Sequence, residues 1–309
     1  MSIDGKVTRR MKEEIKASVS VIIPFYSNAD WLEEALDSVL NQTMPAYEII
    51  VVNDGSREDL SRVMEKYSLV LFYNQENQGA AAARNLGIEK AHGDIVAFLD
   101  SDDLWEPDKL EVQIREMEKN QCVWSASGYT TFGWGKSRYV RPYSSRKLCW
   151  EHLYNTARIA TPAVAVYRKA LDKSKFAVDM KNGQDTFLWF KLANLYRLDV
   201  IDRSLVKVRK RENSTCRNTD AWIKTRAVLW NKMTLEEELF PPRRILTKMG
   251  YQLASYIWKN RQSASNTCLD KILYLISWGL FKVDDFLLYI KEPDMIRTER
   301  NGILGKSRR

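Results

Sequence analysis

The stretch that decides the fold class of this 309-residue chain is Ile95-Val96-Ala97-Phe98-Leu99-Asp100-Ser101-Asp102-Asp103. Five consecutive apolar residues are typical of a strand that is buried on both faces of a parallel sheet. The three carboxylates that follow repel one another, and holding them at a strand end is costly unless a positive charge compensates them. A divalent cation with oxygen ligands would do so. A solvated turn before the next helix is the alternative, and spacing alone does not decide between the two.

The sequence before this stretch alternates apolar runs with helical patterns. We predict strands at three runs, which are 19–23, 48–52 and 69–73. We predict helices at 30–41, 60–67 and 79–91, and a further helix that begins at Pro107. Strands that alternate with helices at this spacing form βαβ units. The sequence therefore predicts an α/β fold with a Rossmann-like, mainly parallel sheet flanked by helices.

In a parallel sheet of this kind, ligands bind beyond the carboxyl ends of the strands. Pro24-Phe25-Tyr26 follows the first strand, Asp54 follows the second, and the acid cluster 100–103 follows the fourth. We expect these side chains to converge at one edge of the sheet. No Gly-x-x-x-x-Gly-Lys loop and no Gly-x-Gly-x-x-Gly run occurs in the sequence, which argues against phosphate binding of the P-loop or dinucleotide type.

The pattern loosens after residue 120. Residues 124–150 mix tryptophans, glycines, serines and basic residues, and we predict loops or an irregular extension there. A second ordered segment runs from 161 to about 208 and includes a helix at 185–195.

The positive charge of the chain, formally +8, belongs to its last third. Residues 1–215 contain 31 Lys and Arg against 30 Asp and Glu, a net of +1, whereas residues 216–309 contain 17 against 10, a net of +7. The basic segment carries apolar stripes at helical spacing, so we predict a mainly helical C-terminal extension. Such a surface suits an anionic membrane or nucleic acid, and core packing of the stripes is the alternative.

The cysteines and the N-terminus bear on the compartment. The four cysteines lie far apart without a Cys-x-x-Cys pair, which is typical of buried free thiols in a reducing compartment. No apolar core of a signal peptide follows the basic N-terminus, and the apolar stretch 272–281 is shorter than the ~20 residues that a spanning helix needs. We expect a cytoplasmic protein, with peripheral contact at the inner face of the cell membrane as a further possibility.

The stretch from Val19 through Trp105 resembles the nucleotide-sugar-binding half of the family 2 glycosyltransferases, whose fold is called GT-A. Five ordered blocks carry the resemblance: Val19–Pro24, Ser38–Thr43, Val51–Ser56, Asn77–Asn85 and Phe98–Asp103. Residues 182–189 and 209–214 resemble later blocks of the family more faintly, and no resemblance extends beyond about residue 216.

The resemblance implies a nucleotide-sugar site. The family's aromatic residue after the first strand stacks on the nucleotide base, which implies this role for Tyr26 beside Pro24. Asp54 matches the acid that hydrogen-bonds the base, and Arg84 matches a residue that faces the diphosphate or the donor sugar. The alternatives are strand-end packing for Tyr26, an Asx turn or helix cap for Asp54, and a solvated helix position for Arg84.

The acid cluster fills the family's Asp-x-Asp motif with Asp100, Ser101 and Asp102. The resemblance implies that Asp100 and Ser101 lie at the donor and that the final acid binds Mn²⁺ or Mg²⁺. Because Asp103 is adjacent, the direct metal ligand could be either Asp102 or Asp103.

The later blocks imply a catalytic base and two cations. Asp185 matches the family's catalytic carboxylate at the start of a helix, although Gln184 stands where a glutamate usually precedes it. A helix cap is the alternative for Asp185. Arg209 and Arg211 match the basic segment that covers the diphosphate.

Together these features predict an inverting glycosyltransferase that uses a nucleotide-diphospho-sugar, with a UDP-sugar favoured. The expected acceptor is a glycan or lipid-linked hydroxyl in surface polysaccharide synthesis, and nucleic acid is not an expected partner. A sugar-phosphate nucleotidyltransferase and a non-enzymatic basic binding protein are the alternatives. The expected domains are a basic lead (1–17), a GT-A catalytic domain (18–215, with a donor half 18–120 and an acceptor half 121–215) and the basic helical region (216–309).

Overall fold

The computed structural model describes residues 17–141, 159–212, 225–229 and 231–232, with the single positions 249, 252, 253, 256 and 276. Its strands in chain order are β1 Val19–Phe25, β2 Glu48–Asp54, β3 Leu71–Gln75, β4 Ile95–Phe98, β5 Leu104–Trp105, β6 Trp124–Gly133, β7 Arg138–Val140, β8 Val164–Tyr167 and β9 Leu198–Lys210. Its α-helices are α1 Ala29–Leu40, α2 Ser61–Lys66, α3 Ala80–Lys90, α4 Lys109–Asn120 and α5 Gln184–Leu195. Short 3₁₀ turns occupy Thr161–Ala163 and Arg168–Leu171.

The strands form one sheet in the order β3-β2-β1-β4-β8-β6-β9-β5, and β7 pairs with the outer part of β6. The first four strands in this order are parallel, as the alternation of strands and helices predicts. The third strand begins at Leu71 instead of residue 69, because the Val70 N–H bonds to the Tyr67 carbonyl in the turn that ends α2. The helix predicted from Pro107 begins at Lys109.

The remaining strands make the sheet mixed, so the prediction of a mainly parallel sheet holds for its first half. β8 runs antiparallel to both β4 and β6, and β5 runs antiparallel to β9. Only β6 and β9 are parallel in this half, with a register irregularity near Gly128. The second half of the sheet therefore adds strands by hairpin and crossover connections that carry no βαβ pattern.

The prediction of loops from residue 124 is wrong for residues 124–133 and 138–140, which are β6 and β7. The strand escapes pattern recognition because its buried face carries small polar residues instead of alternating apolar ones. Ser125 and Ser127 are fully buried, and the Gln113 amide donates to the Ser125 hydroxyl and carbonyl. A hydrogen-bond partner on α4 thus offsets the free-energy cost of burying the Ser125 hydroxyl. Residues 142–150 lie outside the described residues.

The core consists of two layers, one on each face of the sheet. Alternate residues of β1 point to opposite faces, with Ile22 toward α3 and α5 and Val21 toward α1, α2 and α4. Gly87 of α3 lets this helix approach β1 closely, since a Cβ there would lie 2.4 Å from Ile22 Cγ2. The rigid two-layer core fixes the carboxyl ends of the strands that carry the site.

The loop that carries the acid cluster is tied to α1. The Trp105 N–H donates to the Ser38 hydroxyl, and the Gln42 side chain bonds both the Glu106 carbonyl and the Leu110 N–H. These contacts explain the Ser38–Thr43 block physically, because they hold the segment between β4 and α4 in place.

The described residues after 216 begin by packing on the sheet domain. Residues 225–229 are helical, and Leu229 joins the core layer that contains α5. Of the predicted apolar stripes, Met249, Tyr256 and Ile276 are exposed, and most other stripe positions lie outside the described residues, as do residues 1–16. Within the described part of the chain, no helix is long and apolar enough to cross a membrane. Cys122 is a buried free thiol, and the other three cysteines lie outside the described residues.

Candidate active site

The carboxyl edge of the parallel strands presents an open aromatic ring. Tyr26 follows the last residue of β1, and 55% of it is exposed, whereas the preceding Phe25 is buried. The β1 pleat therefore sends Phe25 into the core and leaves the Tyr26 ring accessible. Strand-end packing does not describe Tyr26, and its ring is available for stacking on a flat ligand.

Asp54 ends β2 and is only 4% exposed. Its carboxylate accepts the Gln75 amide at 2.7 Å and the N–H groups of Gln78 and Gly79, both at 2.8 Å. The Asx turn at this position is made by its neighbour instead, since Asn53 Oδ1 accepts the Ser56 N–H. Asp54 thus fixes the loop before α3, and of the roughly four acceptor positions of a carboxylate it has about one left for a ligand.

Arg84 is buried on α3 and is not a solvated helix residue. Its Nη2 donates to Asp100 Oδ1 at 2.5 Å, and its guanidinium lies 5.4 Å from the ring centroid of Phe176. Its Nε has no hydrogen-bond partner among the described residues. The structure therefore places a fixed cation, with an unused donor, directly behind the acid cluster.

The three acids of the cluster occupy different environments. The Asp100 and Asp102 side chains keep 29% and 19% of their surface exposed, whereas Asp103 is 3% exposed. Asp103 Oδ1 accepts the Arg209 N–H at 2.7 Å and so anchors the end of β9. Burial, with the nearby charges of Asp100 and Asp102, raises the pKa of Asp103 well above its usual value. Burial and then Asp100 also raise the pKa of Asp102, and Arg211 opposes that rise.

These donors fit an Mg²⁺ or Mn²⁺ ion that completes its shell with phosphate oxygens. All of them are carboxylate oxygens, the type that both ions prefer, and Asp102 is the cluster member with both exposure and a raised pKa. Among the residues that the structure describes, no group of three or more His, Cys, Asp or Glu side chains could hold a metal by itself. An ion held by one or two carboxylates and a bound diphosphate is consistent with both observations.

Two arginines cover the acid cluster, Arg209 near the end of β9 and Arg211 directly after this strand. The ring of Trp31 lies against both. Arg209 donates to the Asp102 carbonyl at 2.8 Å and to Glu34 at 2.6 Å, and its guanidinium lies 4.5 Å from the Phe132 ring. Arg211 forms an ion pair with the Asp102 carboxylate. The guanidinium groups of Arg209 and Arg211 lie 5.0 and 4.9 Å from the centroid of Trp31. We call Trp31, Arg209 and Arg211 the cation clamp.

Sequence reasoning missed Trp31 and its neighbours as site residues. Trp31 lies in the apolar pattern of α1, which explained it as a helix residue, and its N–H is capped by Asn28 Oδ1. Glu34 and Phe132 have no motif of their own. A signal would have required knowledge that residues 31 and 209 are adjacent in space.

Asp185 lies in the first turn of α5 and is partly exposed. The residue at the N-cap position is Gly183, so Asp185 is not the N-cap residue of this helix. Its Oδ1 accepts the Thr186 N–H at 2.6 Å, and its Oδ2 lies 3.4 Å from the Thr161 hydroxyl. Pro162 accepts the Trp105 indole N–H at 2.9 Å, which ties the start of α5 to the segment that follows the acid cluster.

The chain is similar in sequence to known glycosyltransferases. The sequence profile described as "Glycosyl transferase family 2" matches residues 20–176. An uncharacterized glycosyltransferase of Rickettsia bellii is 36% identical over 205 residues, which are 64% of this chain and 30% of that protein. Uncharacterized glycosyltransferase RT0329 of Rickettsia typhi is 31% identical over 238 residues, which are 71% of this chain and 73% of that protein. The putative teichuronic acid biosynthesis glycosyltransferase TuaG of Bacillus subtilis is 42% identical over 120 residues, which are 37% of this chain and 48% of that protein.

Three of the Rickettsia relatives are longer proteins, and the chain spans only 30–33% of their length. Among solved structures, S. aureus TarS 1–349 superposes with a TM-score of 0.61 at 17% identity and covers 94% of this chain and 93% of that one. This likeness supports the α/β architecture with its mixed sheet. Because the family profile matches just over half of the chain, the chain belongs to glycosyl transferase family 2 and has the GT-A fold.

Proposed function

We propose that the chain transfers a sugar from a nucleotide-diphospho-sugar to an acceptor hydroxyl with inversion at the anomeric carbon. The observation that carries this proposal is the alternation of charge at one sheet edge: Arg84 pairs with Asp100, and Arg211 pairs with Asp102. A diphosphate with its metal ion carries the same two kinds of charge. The edge can therefore exchange its internal ion pairs for contacts with such a donor.

The donor is proposed to be a UDP-sugar. Tyr26 offers its open ring to the base, and Asp54 holds the loop of Gln78 and Gly79 that borders the base position. Arg84 and Arg211 supply cations for the diphosphate, and Asp100 with Ser101 faces the ribose side. Crystal structures of TarS, which has the same fold, are described as complexes with UDP and UDP-GlcNAc. Stacking tolerates any base, so the choice of uridine is supported mainly by that likeness.

Asp102 is proposed to bind the metal ion, and Asp103 is proposed to have a structural role. Asp102 has an accessible carboxylate, whereas Asp103 is buried and spends an oxygen on the Arg209 N–H. When bound, Mn²⁺ or Mg²⁺ supplies Lewis-acid stabilisation of the departing nucleoside diphosphate.

Asp185 is proposed as the base that removes the acceptor proton. Its carboxylate lies in the first turn of α5 and is partly exposed, so an acceptor hydroxyl can reach it. Thr161 at 3.4 Å helps to orient the carboxylate. Gln184 in place of the usual glutamate leaves Asp185 as the acid of this helix start, so proton removal falls to one carboxylate.

The acceptor is proposed to be a glycan or lipid-linked glycan of a surface polysaccharide, which the name of TuaG supports. We further propose a cytoplasmic enzyme whose catalytic domain comprises residues 18–215 and whose basic region, 216–309, contacts an anionic membrane. The exposure of Met249, Tyr256 and Ile276 supports that contact.

A thermal-shift screen of UDP-, GDP-, CDP- and dTDP-sugars with and without Mn²⁺ tests the proposal, since a ligand stabilises the state that binds it. A metal-dependent shift with a UDP-sugar is expected, followed by release of UDP when the acceptor is added. Release of pyrophosphate from a nucleoside triphosphate would instead identify a nucleotidyltransferase. The absence of any metal-dependent shift would contradict the proposal.

A further inference from the structure

The hairpin of β6 and β7 carries a compact group of exposed aromatic and basic side chains. We call residues 134–139 the hairpin tip; they comprise the loop that follows β6 and the first two residues of β7. Trp134 and Tyr139 are each 43% exposed, and Lys136 and Arg138 between them are exposed as well. None of these residues has a role in donor binding or in the core.

Hydrogen bonds with β6 and the end of β9 hold the hairpin tip in place. The Trp134 N–H donates to the Lys210 carbonyl at 3.1 Å, and the Lys210 ammonium donates to the Lys136 carbonyl at 2.6 Å. On the other side, the Arg138 N–H donates to the Thr131 hydroxyl at 3.0 Å. Gly133 has φ 84°, and a Cβ there would lie 2.9 Å from the Lys210 carbonyl oxygen. A preordered surface of this kind binds a partner without a large loss of conformational entropy.

Within the described part of the chain, the basic side chains of the hairpin tip lack the ion pairs that other basic residues of this sheet form. Among the described residues, no carboxylate pairs with Lys136, Arg138 or Lys210, whereas Arg141 and the Tyr139 hydroxyl together engage Asp202. Elsewhere on β9, Arg203 and Lys207 are paired with Asp108 and Glu106. The surplus of positive charge is therefore local to the tip, and it favours an anionic partner.

The aromatic rings of the tip suit a carbohydrate. Burial, and then the hydrogen bond that the Tyr139 hydroxyl donates to Asp202 at 2.9 Å, raise the pKa of Tyr139 to about 12, so the side chain is neutral at pH 7. Trp134 and Tyr139 each combine an apolar face with a polar tip, so they can cover the C–H face of a sugar ring and still hydrogen-bond to it.

The tip lies next to the catalytic edge. Phe132, two residues before Trp134, is paired in register with Arg209 and contacts its guanidinium at 4.5 Å. Arg209 in turn bonds Asp102 and Asp103. A chain bound on the tip can thus extend toward the donor site. We propose that the hairpin tip and Lys210 form the binding site for an anionic acceptor glycan, whose negative groups are phosphodiesters or uronates. This inference rests on the proposed function, because it places the acceptor of that reaction.

Three labelled probes test the site by fluorescence anisotropy with the full chain: an oligo(glycerol phosphate), an oligogalacturonate and a neutral maltooligosaccharide of equal length. The wild type should bind at least one anionic probe about tenfold more tightly than the neutral one. The variant K136Q/R138Q should lose about tenfold in that affinity. The matched control R203Q/K207Q removes the same charge from ion-paired positions and should stay within about twofold. W134A should weaken binding and W134F should restore most of it.

The outcomes separate this inference from the proposed function. If K136Q/R138Q binds the anionic probes as the wild type does, or if the wild type does not discriminate against the neutral probe, the inference is overturned. Binding to phosphatidylglycerol vesicles through these residues, without binding of the oligomers, would also overturn it in favour of a membrane contact. A UDP-sugar thermal shift is measured alongside. Loss of that shift in the wild type defeats the proposed function, whereas an unchanged shift in K136Q/R138Q shows that only acceptor binding was altered.

Discussion

Arg211 forms an ion pair with the Asp102 carboxylate while its guanidinium lies 4.9 Å from the centroid of Trp31. The acid that is best placed to bind a metal is thus already neutralised by a cation of the protein. Arrival of a metal and a diphosphate would release Arg211 from Asp102 and leave it free to pair with the phosphates. Under the proposed function, Arg211 would pair with Asp102 before the donor binds and with the diphosphate afterwards.

Substitution of Arg211 tests this exchange. R211Q should bind Mn²⁺ alone about fivefold more tightly, or ~1 kcal/mol, because a competing cation is removed. The same variant should bind UDP more weakly, because it lacks a partner for the diphosphate. Electron paramagnetic resonance of free Mn²⁺ measures the first effect and calorimetry the second. R203Q removes the same charge farther along β9 and should leave both affinities unchanged; weaker Mn²⁺ binding by R211Q would contradict the exchange.

Tyr26 is predicted to act by stacking. Y26A should raise the KM for the donor about tenfold or more, because a stacked base contributes ~1–3 kcal/mol. Y26F should keep nearly all of the affinity, since the ring face is retained. Y47A serves as the control, because Tyr47 is also exposed but precedes β2 at the opposite edge of the sheet. Equal KM values for Y26A and the wild type would remove Tyr26 from the site.

Asp54 is predicted to act through the loop that it holds. In the wild type, the N–H groups of Gln78 and Gly79 donate to the Asp54 carboxylate. In D54N an N–H₂ group replaces one of the carboxylate oxygens and cannot accept these bonds. Loss of these buried bonds should lower the free energy of unfolding by ~1–3 kcal/mol and weaken donor binding in parallel. Urea unfolding and calorimetry measure the two effects. E76Q removes a charge from an exposed position of the same loop and should change neither; weaker donor binding by D54N at unchanged stability would instead indicate direct contact with the base.

The parallel strands and the edge of the site were predictable from sequence, whereas β6, β7 and the closing contacts were not. β1, β2 and β4 each contain a run of apolar residues, and the rule that ligands bind at the carboxyl ends of parallel strands predicts that Tyr26, Asp54 and Asp100 lie at one edge. The contact of Arg211 with Asp102 joins residues 109 positions apart, and no local pattern encodes it. The difference between Asp102 and Asp103 likewise depends on where the Arg209 N–H lies.

The burial of Lys109 is another feature that the sequence pattern does not predict, although the helix that carries it was predicted correctly. It is fully buried at the start of α4, its ammonium has no hydrogen-bond partner among the described residues, and it lies 3.7 Å from the centroid of Trp105. Burial lowers the pKa of Lys109 well below its usual value. Helical periodicity alone gives no reason to place a lysine in the core, because the burial depends on packing against the β5 segment.

Lys109 should make stability depend on pH. Because the folded-state pKa lies below the unfolded value of 10.5, the unfolded chain binds more protons in the interval between them. The free energy of unfolding should therefore rise with pH through that interval. K109M should be more stable at pH 7 by ~1 kcal/mol or more and should have a flatter pH dependence up to pH ~10. Urea unfolding at several pH values measures this, with K119M on the exposed face of α4 as the control; a less stable K109M would show that the contact with Trp105 outweighs the cost of burial.

The most direct test of the account is single-turnover transfer by D185N with a UDP-sugar, Mn²⁺ and the acceptor, measured together with UDP-sugar binding. Removal of the base should lower the transfer rate by at least about a hundredfold, because general-base catalysis contributes that much or more. Donor affinity should stay at the wild-type value, since the proposed role of Asp185 is in removing the acceptor proton, and the exposed control D172N should retain both properties. Transfer by D185N at a rate near that of the wild type, with donor binding intact, would contradict the central claim that this carboxylate is the catalytic base.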